Sequence, residues 1–494
     1  MNHPHRKVLR GGSLLSASEV VNQCCSFARN IILARYLTKA DFGVAALLAM
    51  VLTLLEMTGK MALGQQVVQS GRGDTPAYVD SVQFTQLAAG ILSAALILLF
   101  AWPVAHFFSG PRYLPSLLAI ALIPLFNGLG NLDLYRLARQ LGFERLILAE
   151  TIPQVAATLA AWPVASRFPA YRAVVALLLG KAALSAAMTH LLAKRPFRPR
   201  YERRWFRESM RFGWPLLLAG FIQFGNFQGD AMVVAARYPL ANLGEFAVAM
   251  TMAMTPAFAF MRVSQSLSLP VLAAVQDNPV RLARQYGRYV ESMALVSCCA
   301  TLGMIFCGEY VVVLFFGAKY AGVGTLASWL IAAQALRIVR GATVSAAMAR
   351  GDTMNMMVCS AWRLCGLPLA LLVGWLHGSL VWFAVTGFAG EGVALWASVS
   401  RLAARQGIAP AITVTPTLLA LACVAAAVAL KWSVPLAPDS PLNWLLLLAA
   451  LLLGVTAFAL RFPALRAAIA GLSTRLHPEP GPATVPAERG PSLP

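Results

Sequence analysis

Seven basic residues fall inside stretches of sequence that are otherwise apolar, where an unpaired charge is costly. They are Arg29, Lys60, Lys181, Arg262, Arg337, Arg340 and Arg363. Fewer acids share such stretches, chiefly Glu56, Asp230 and Glu391. An excess of buried cations suits a phosphate or pyrophosphate group, whose oxygens an arginine holds through two parallel hydrogen bonds. This pattern predicts a cationic, anion-binding cavity inside the protein.

The first of these stretches, roughly residues 13–36, has one polar face. Ser18, Asn22, Ser26 and Arg29 recur at spacings of three and four residues, so they share one side of a helix. Such a face is unfavourable against lipid. We therefore expect it to line an interior cavity, with Asn22 and Arg29 among the binding residues.

The composition is that of a polytopic membrane protein. Hydrophobic residues make up 59% of the 494 residues and charged residues 12%, with a mean hydropathy of +0.67. A soluble domain with a charged surface does not show such values. The net charge of +20 is first explained by cytoplasmic loops rich in Lys and Arg rather than by nucleic acid. Their distribution predicts that both termini are cytoplasmic.

The sequence does not predict an enzyme. It contains no Walker A run, HExxH motif or nucleophile elbow, and no catalytic residue is predicted. The eight cysteines lie in apolar stretches without metal-ligand spacing, so we expect neither disulfides nor a metal site. No cofactor is expected.

Hydrophobic runs predict an all-α fold with about 14 transmembrane helices. We expect two pseudo-symmetric six-helix lobes around a central cavity, followed by two more helices. The predicted parts are an N-terminal lobe (1–193), a basic cytoplasmic linker (194–211), a C-terminal lobe (212–405), the extra helices (406–462) and a partly disordered cytoplasmic tail (463–494).

A weak internal repeat supports the two lobes. The chain reads ARY at 34–36 and DFG at 41–43, and again ARY at 236–238 and NLG at 242–244. An even number of helices in each lobe gives both copies the same orientation, with a twofold axis along the membrane normal. Repeats of this kind place the binding site at their interface.

Several short runs over residues 10–405 resemble the polysaccharide transporter family of oligosaccharide flippases, within the multidrug/oligosaccharidyl-lipid/polysaccharide (MOP) exporter superfamily. The runs are ILARYL at 32–37, DFG at 41–43, LYR at 134–136, GFER at 142–145, RFGWPL at 211–216, GD at 229–230 and FGAKY at 316–320. The resemblance implies two six-helix lobes that form a V-shaped cavity.

The resemblance also implies a function. We expect alternating-access transport of undecaprenyl-pyrophosphate-linked oligosaccharides across the bacterial inner membrane, for exopolysaccharide, capsule or lipopolysaccharide O-antigen synthesis. The expected partners are that lipid-linked oligosaccharide and the lipid bilayer, with a polysaccharide polymerase and a chain-length regulator as further candidates and no nucleic acid.

The resemblance assigns roles to individual cations. Related flippases place cavity cations on helices one, two and eight, which implies that Arg29, Lys60 and Arg262 bind the pyrophosphate. Lys60 has the alternative of an ion pair with Glu56, four residues before it. Three later residues are further candidates for substrate binding: Arg337, Arg340 and Arg363. For the first two of these, anchoring the helix is the alternative.

Asp230 and Glu56 are candidates for binding a coupling ion. Some relatives bind sodium with an acid on helix seven and polar ligands on helices eleven and twelve. Here helix eleven offers Asn355, Ser360 and Arg363 but no carboxylate. Coupling to a proton, the membrane potential, or an ion pair between Asp230 and a cavity arginine are the alternatives.

Other functions stay open at this stage. A peptidoglycan lipid-precursor flippase shares the same chemistry. A multidrug exporter of the same fold would mostly carry organic cations and would favour an acidic cavity. A membrane enzyme of the O-antigen ligase type would use the same lipid but would ordinarily need a large external loop.

Overall fold

The computed structural model describes residues 3–59, 63–108, 111–168, 170–433, 440–463 and 465–466, and their regular structure is helical. The α-helices are α1 His3–Tyr36, α2 Lys39–Gly59, α3 Leu63–Gln69, α4 Pro76–Phe108, α5 Leu114–Ile120, α6 Leu122–Leu129, α7 Asp133–Arg139, α8 Glu144–Leu159, α9 Ala161–Arg167, α10 Arg172–Leu192, α11 Arg203–Arg237, α12 Leu240–Ala273, α13 Pro279–Phe316, α14 Gly324–Ala349, α15 Met354–Arg363, α16 Gly366–Trp375, α17 Leu380–Gln406, α18 Ala411–Ser433 and α19 Pro441–Arg461. Short 3₁₀ turns occupy Pro111–Tyr113 and Ala318–Tyr320.

The described residues contain 8 segments that are long and apolar enough to cross a membrane. These are α4, α10, α12, α13, α15 with α16, α17, α18 and α19. A ninth span is possible by length and composition. It would consist of the segment 114–129, formed by α5 and α6, together with α7, and these two parts are bent by 46° relative to each other. The protein is therefore a multi-pass membrane protein, as its composition predicts. The larger number of about 14 spans stays a prediction.

The direction of α1 distinguishes the two ends of the molecule. The near side is where α1 begins, and the far side is where α1 ends at Tyr36 and α2 begins at Lys39. The first half of the chain comprises α1–α10, and the second half comprises α11–α19. Helix α2 packs along α12, α1 contacts both α12 and α13, and α11 contacts both α2 and α4. The two halves meet mainly through these helices.

The segment between the halves is docked on the first half at the near side. Buried Asp133 accepts the backbone N–H groups of Lys194 and Arg195 at 2.8 and 3.1 Å. Its other oxygen accepts Arg136 Nε at 2.6 Å. Helix α11 already begins at Arg203, so the last part of the predicted linker is helical.

On the far side, two glycines bring the first turns of α2 and α12 into direct backbone contact. A Cβ atom added to Gly43 would lie 1.8 Å from the carbonyl oxygen of Leu240, and one added to Gly244 would lie 2.1 Å from the carbonyl oxygen of Lys39. Lys39 Nζ also forms an ion pair with Glu245 Oε1 at 2.6 Å. These glycines occupy matching positions in the sequence repeat, and each meets the other's helix in the same way.

A second far-side contact joins the ends of α1 and α13. The guanidinium of Arg35 donates to the carbonyls of Phe315, at 2.7 Å, and Leu314. In return, the ammonium of Lys319 donates to the carbonyls of Arg35, at 3.0 Å, and Leu37. Each cation satisfies carbonyl groups at the C-terminus of the other helix, where the helix dipole favours positive charge. The two halves are thus closed against each other at the far side.

Candidate functional site

A cavity of about 530 Å³ lies between the two halves. Helices α1, α2 and α10 form one wall, and α11 and α12 form the other. The polar part of the first wall comes from α1: Gln23, Ser26, Arg29 and Asn30. The opposite wall is mainly aromatic and aliphatic, and includes Phe227, Met250, Met254 and Phe258. This space, called the central cavity below, is therefore largely apolar, with a cationic, polar strip contributed by α1.

Within the described ranges, Arg29 is the cation that lines the central cavity. Its Nη1 lies 3.4 Å from Gln154 Oε1 and its Nη2 lies 3.5 Å from Ser26 Oγ, both long for hydrogen bonds. Among the described residues, Arg29 has no carboxylate within ion-pair distance. Because a guanidinium has five N–H donors, it can still bind an anion from the cavity.

A second pocket of about 300 Å³ lies beside the central cavity, within the first half. All of its lining residues are polar: Asn22, Gln23, Ser26, Glu150, Gln154, Lys181 and Ser185. Gln23 and Ser26 also line the central cavity. Gln154, only 4% exposed, donates to the carbonyl of Asn22 at 3.2 Å and accepts from Arg29. This polar pocket and the central cavity therefore share one continuous polar wall.

Arg262 lies at the near-side mouth of the central cavity. It is four residues beyond the lining residue Phe258, just as Glu19 is four residues before Gln23, so each stands about one helical turn outside the cavity. Arg262 Nη2 is 3.9 Å from Glu19 Oε1, and its side chain is 70% exposed. Such a pair is weak, which leaves Arg262 free to contact a charged group entering the cavity.

Three more of the predicted cations, Arg337, Arg340 and Arg363, are gathered around one buried carboxylate in the second half. Glu391, 0% exposed, accepts Arg337 Nε and Nη2 on Oε1 at 2.8 and 2.6 Å. Arg340 donates to Oε2 at 3.2 and 3.1 Å, and Arg363 Nε donates to Oε1 at 3.0 Å. This charge cluster lies outside the lining of the central cavity. Its arginines are therefore already paired in this conformation.

Asp230 belongs to the same cluster. Its Oδ2 accepts Arg363 Nη2 at 3.3 Å, which corresponds to the ion pair left open as an alternative to a coupling-ion site. Arg337 also stacks 4.7 Å from the centre of the Phe227 ring, and Phe227 lines the central cavity. One aromatic ring thus stands between the charge cluster and the cavity.

Two predicted residues fall outside what the structure describes. Lys60 lies in the undescribed segment 60–62, and Glu56 is helical but its side chain is not described. Within the described ranges, no three His, Cys, Asp or Glu residues are grouped as metal ligands. Three residues of the polar pocket were missed from the sequence: Glu150, Gln154 and Ser185. Glu150 and Gln154 are four residues apart, and Ser185 is four residues after Lys181. This spacing in an apolar stretch is the same signal that identified the polar face of α1.

The fold matches two solved transporter structures. The lipid II flippase MurJ, in an inward-closed conformation, superposes with a TM-score of 0.66 over 90% of this chain and 98% of that chain, at 13% identity. An inward-facing multidrug resistance MATE family transporter of the MOP superfamily gives a TM-score of 0.59 over 82% of this chain and 95% of that chain, also at 13% identity. The chain thus has the fold of MOP superfamily transporters.

The sequence comparison defines the family. The polysaccharide biosynthesis protein family model matches residues 32–324, more than half of the chain. The amylovoran biosynthesis protein AmsL of Erwinia amylovora is 26% identical over 330 residues, which cover 65% of this chain and 81% of AmsL. The chain belongs to the polysaccharide biosynthesis protein family, as its sequence motifs predict.

Proposed function

We propose that the protein is a flippase that moves undecaprenyl-pyrophosphate-linked oligosaccharides across the bacterial inner membrane by alternating access. The observation that carries the proposal is Arg29 in a membrane-embedded cavity, with no ion-pair partner in the part of the chain that the structure describes, beside a pocket lined by polar side chains. A pyrophosphate is a compact anion with oxygens that match a guanidinium. The opposite apolar wall suits the first part of a polyprenyl chain, and membership of a polysaccharide biosynthesis family supports a sugar cargo.

The contacts between the halves support loading from the near side. At the far side, the backbone contact at Gly43 and Gly244 and the Lys39–Glu245 ion pair close the cavity. At the near-side mouth between α1 and α12, the contact of Arg262 with Glu19 is long and exposed. In this proposal the substrate head enters past Arg262, binds Arg29, and leaves on the far side after the far-side contacts break.

We place the near side in the cytoplasm, together with both termini. The segment 194–211, which begins at the near side, holds eight Lys and Arg against two Glu. Cytoplasmic loops carry an excess of Lys and Arg. The tail beyond residue 466 lies outside the described residues. We place it in the cytoplasm on the basis of this orientation of the helices in the membrane.

The proposed topology has about fourteen spans, more than the apolar segments alone. Four additional helices, α1, α2, α11 and α14, have 34, 21, 35 and 26 residues, enough to cross a hydrocarbon core of about 30 Å. Helices α8 and α9 together supply one more. Two six-helix lobes would then end near residue 405, and α18 and α19 would be the extra pair.

The membrane potential is the driving force that we propose. Asp230, the candidate ligand for a coupling ion, is already engaged by Arg363. Moving one negative charge outward across an inside-negative membrane releases about 2.3 kcal/mol per 100 mV, and a pyrophosphate carries more than one such charge. The potential can therefore drive the outward movement of the head group.

The rival functions fit the site less well. Organic cations, which multidrug exporters mostly carry, would be repelled by Arg29 in the central cavity. A peptidoglycan-precursor flippase would use the same pyrophosphate contact, but the family match favours polysaccharide synthesis. A ligase-type enzyme would need catalytic groups at the place where it transfers the sugar, ordinarily on a large external loop. The polar residues of the central cavity and of the polar pocket lie within the helical bundle.

The test is a flipping assay with purified protein in vesicles, using undecaprenyl-pyrophosphate-linked oligosaccharide as the probe. We expect Arg29→Gln to reduce the rate about 10- to 100-fold, because charge-assisted hydrogen bonds to a phosphate contribute about 1.5–3 kcal/mol. Arg167→Gln, on the exposed far-side end of α9, is the matched control and should flip at the wild-type rate. Flipping by Arg29→Gln at the wild-type rate would refute the assignment.

A further inference from the structure

We propose that the polar pocket between α1, α8 and α10 binds the sugar that is attached directly to the pyrophosphate. This inference rests on the proposed function and assigns the part of the site that reads the cargo. Ligand pockets are usually mostly apolar with a few polar groups and measure roughly 300–1,000 Å³. A pocket of about 300 Å³ with only polar side chains in its lining is therefore built for a ligand rich in hydroxyl groups.

The position of the pocket fits a sugar that follows a bound pyrophosphate. Gln23 and Ser26 line both spaces, and Gln154 contacts Arg29 on one side and Asn22 on the other. A pyrophosphate held by Arg29 thus has the mouth of the polar pocket next to it. Because the first sugar is bonded directly to the pyrophosphate, the adjacent polar pocket is within its reach.

The chemistry of the lining matches sugar hydroxyls, which both donate and accept hydrogen bonds. Glu150 supplies a carboxylate that can accept two neighbouring hydroxyls, and Ser185 supplies a hydroxyl of its own. Asn22 also lines the pocket, and its side-chain amide carries both N–H donors and a carbonyl acceptor that match sugar hydroxyls.

The charges of the pocket indicate which sugars it accepts. Its lining holds one carboxylate, Glu150, and one ammonium, Lys181, so it is close to neutral as a whole. Because these two charges offset each other, the pocket as a whole gives no net attraction for a free metal cation or for the carboxylate of a uronic acid. We therefore infer specificity for a neutral hexose or N-acetylhexosamine as the first sugar.

The experiment measures binding to the full-length protein in nanodiscs by native mass spectrometry. The probes are undecaprenyl pyrophosphate without sugar and the same lipid carrying N-acetylglucosamine, galactose or galacturonic acid. We expect at least one neutral-sugar probe to bind about tenfold more tightly than the sugarless lipid, the scale of a few new hydrogen bonds. Glu150→Ala should remove most of this preference and leave the affinity for the sugarless lipid unchanged. Glu144→Ala, on the exposed first turn of the same helix, should leave every affinity unchanged.

A second variant keeps the test independent of any folding defect. Ser185→Ala removes one hydroxyl from the pocket and should also reduce the sugar preference, whereas Ser166→Ala on exposed α9 should not. If the wild type shows no preference for any sugar, or if Glu150→Ala weakens all four lipids equally, the pocket does not read the sugar. If the wild type binds none of the four lipids, the proposed function fails and this inference fails with it.

Discussion

Replacing Gly43 with alanine should open the far side of the protein. The new Cβ atom would lie 1.8 Å from the carbonyl oxygen of Leu240, whereas ordinary van der Waals contact begins at 3.4 Å. The first turns of α2 and α12 must therefore separate by about 1.6 Å. The obstacle is backbone, which cannot rotate away as a flexible side chain would.

The size of the effect follows from the cost of overpacking. Inserting a methyl group into a closely packed contact costs about 1–3 kcal/mol. In the proposed alternating-access cycle, only the conformation with the far side closed contains this contact. The cost should therefore shift the conformational equilibrium toward the far-side-open state by roughly 5- to 150-fold. Elsewhere in a helix, the same substitution would stabilise by about 0.5–1 kcal/mol.

Distances between spin labels on the two halves measure this shift. Labels at Arg167 and Ser379, both exposed at the far side, would be introduced in a cysteine-free background and read by double electron–electron resonance. Gly43→Ala should populate a longer distance. Gly180→Ala in α10, where an added Cβ has no heavy atom within 4 Å, is the control and should keep the wild-type distribution. An unchanged distribution in Gly43→Ala, or the same change in both variants, would refute the reasoning.

Two further predictions concern charged pairs. Glu391→Gln leaves three arginines around a neutral amide, so it should destabilise the protein by about 3–5 kcal/mol. Thermal unfolding in detergent should show a much larger fall in the unfolding midpoint for this variant than for the control Glu144→Gln. Equal unfolding midpoints of the two variants would contradict the charge cluster. In the turn before α15, hydrogen bonds from Arg401 lower the pKa of Asp352 below its ordinary 3.8, so the pair's stabilisation is present above that value and is lost as the pH falls through the lowered pKa. The difference in unfolding midpoint between wild type and Asp352→Asn should therefore shrink in acid, and a constant difference would be inconsistent with the pair.

The class of fold was predictable because the bilayer imposes strong constraints on sequence. Long apolar runs predicted a helical, multi-pass membrane protein, and the described helices and the family match confirm that class and family. The polar spacing on α1 predicted an interior face, and the structure places Arg29 and Asn22 beside the two cavities. A helical period fixes which residues share a face, so this local part of the site could be read from sequence.

The pairing of the other arginines could not be read in the same way. Glu391 lies 54, 51 and 28 residues from Arg337, Arg340 and Arg363, and their meeting depends on how α14, α15 and α17 rotate and pack. Sequence spacing sets positions within one helix but not the rotation of one helix against another. The excess of buried cations in the sequence predicts a cationic cavity. In the structure, three of these arginines instead neutralise buried carboxylates.

The measurement that tests the central claim most directly is an electron cryo-microscopy structure of the protein with bound undecaprenyl-pyrophosphate-linked oligosaccharide. Our account predicts that the pyrophosphate lies within hydrogen-bonding distance of Arg29 in the central cavity. The first sugar should then occupy the pocket lined by Asn22 and Glu150. A pyrophosphate bound away from Arg29, with the central cavity empty of the lipid head group, would contradict the account.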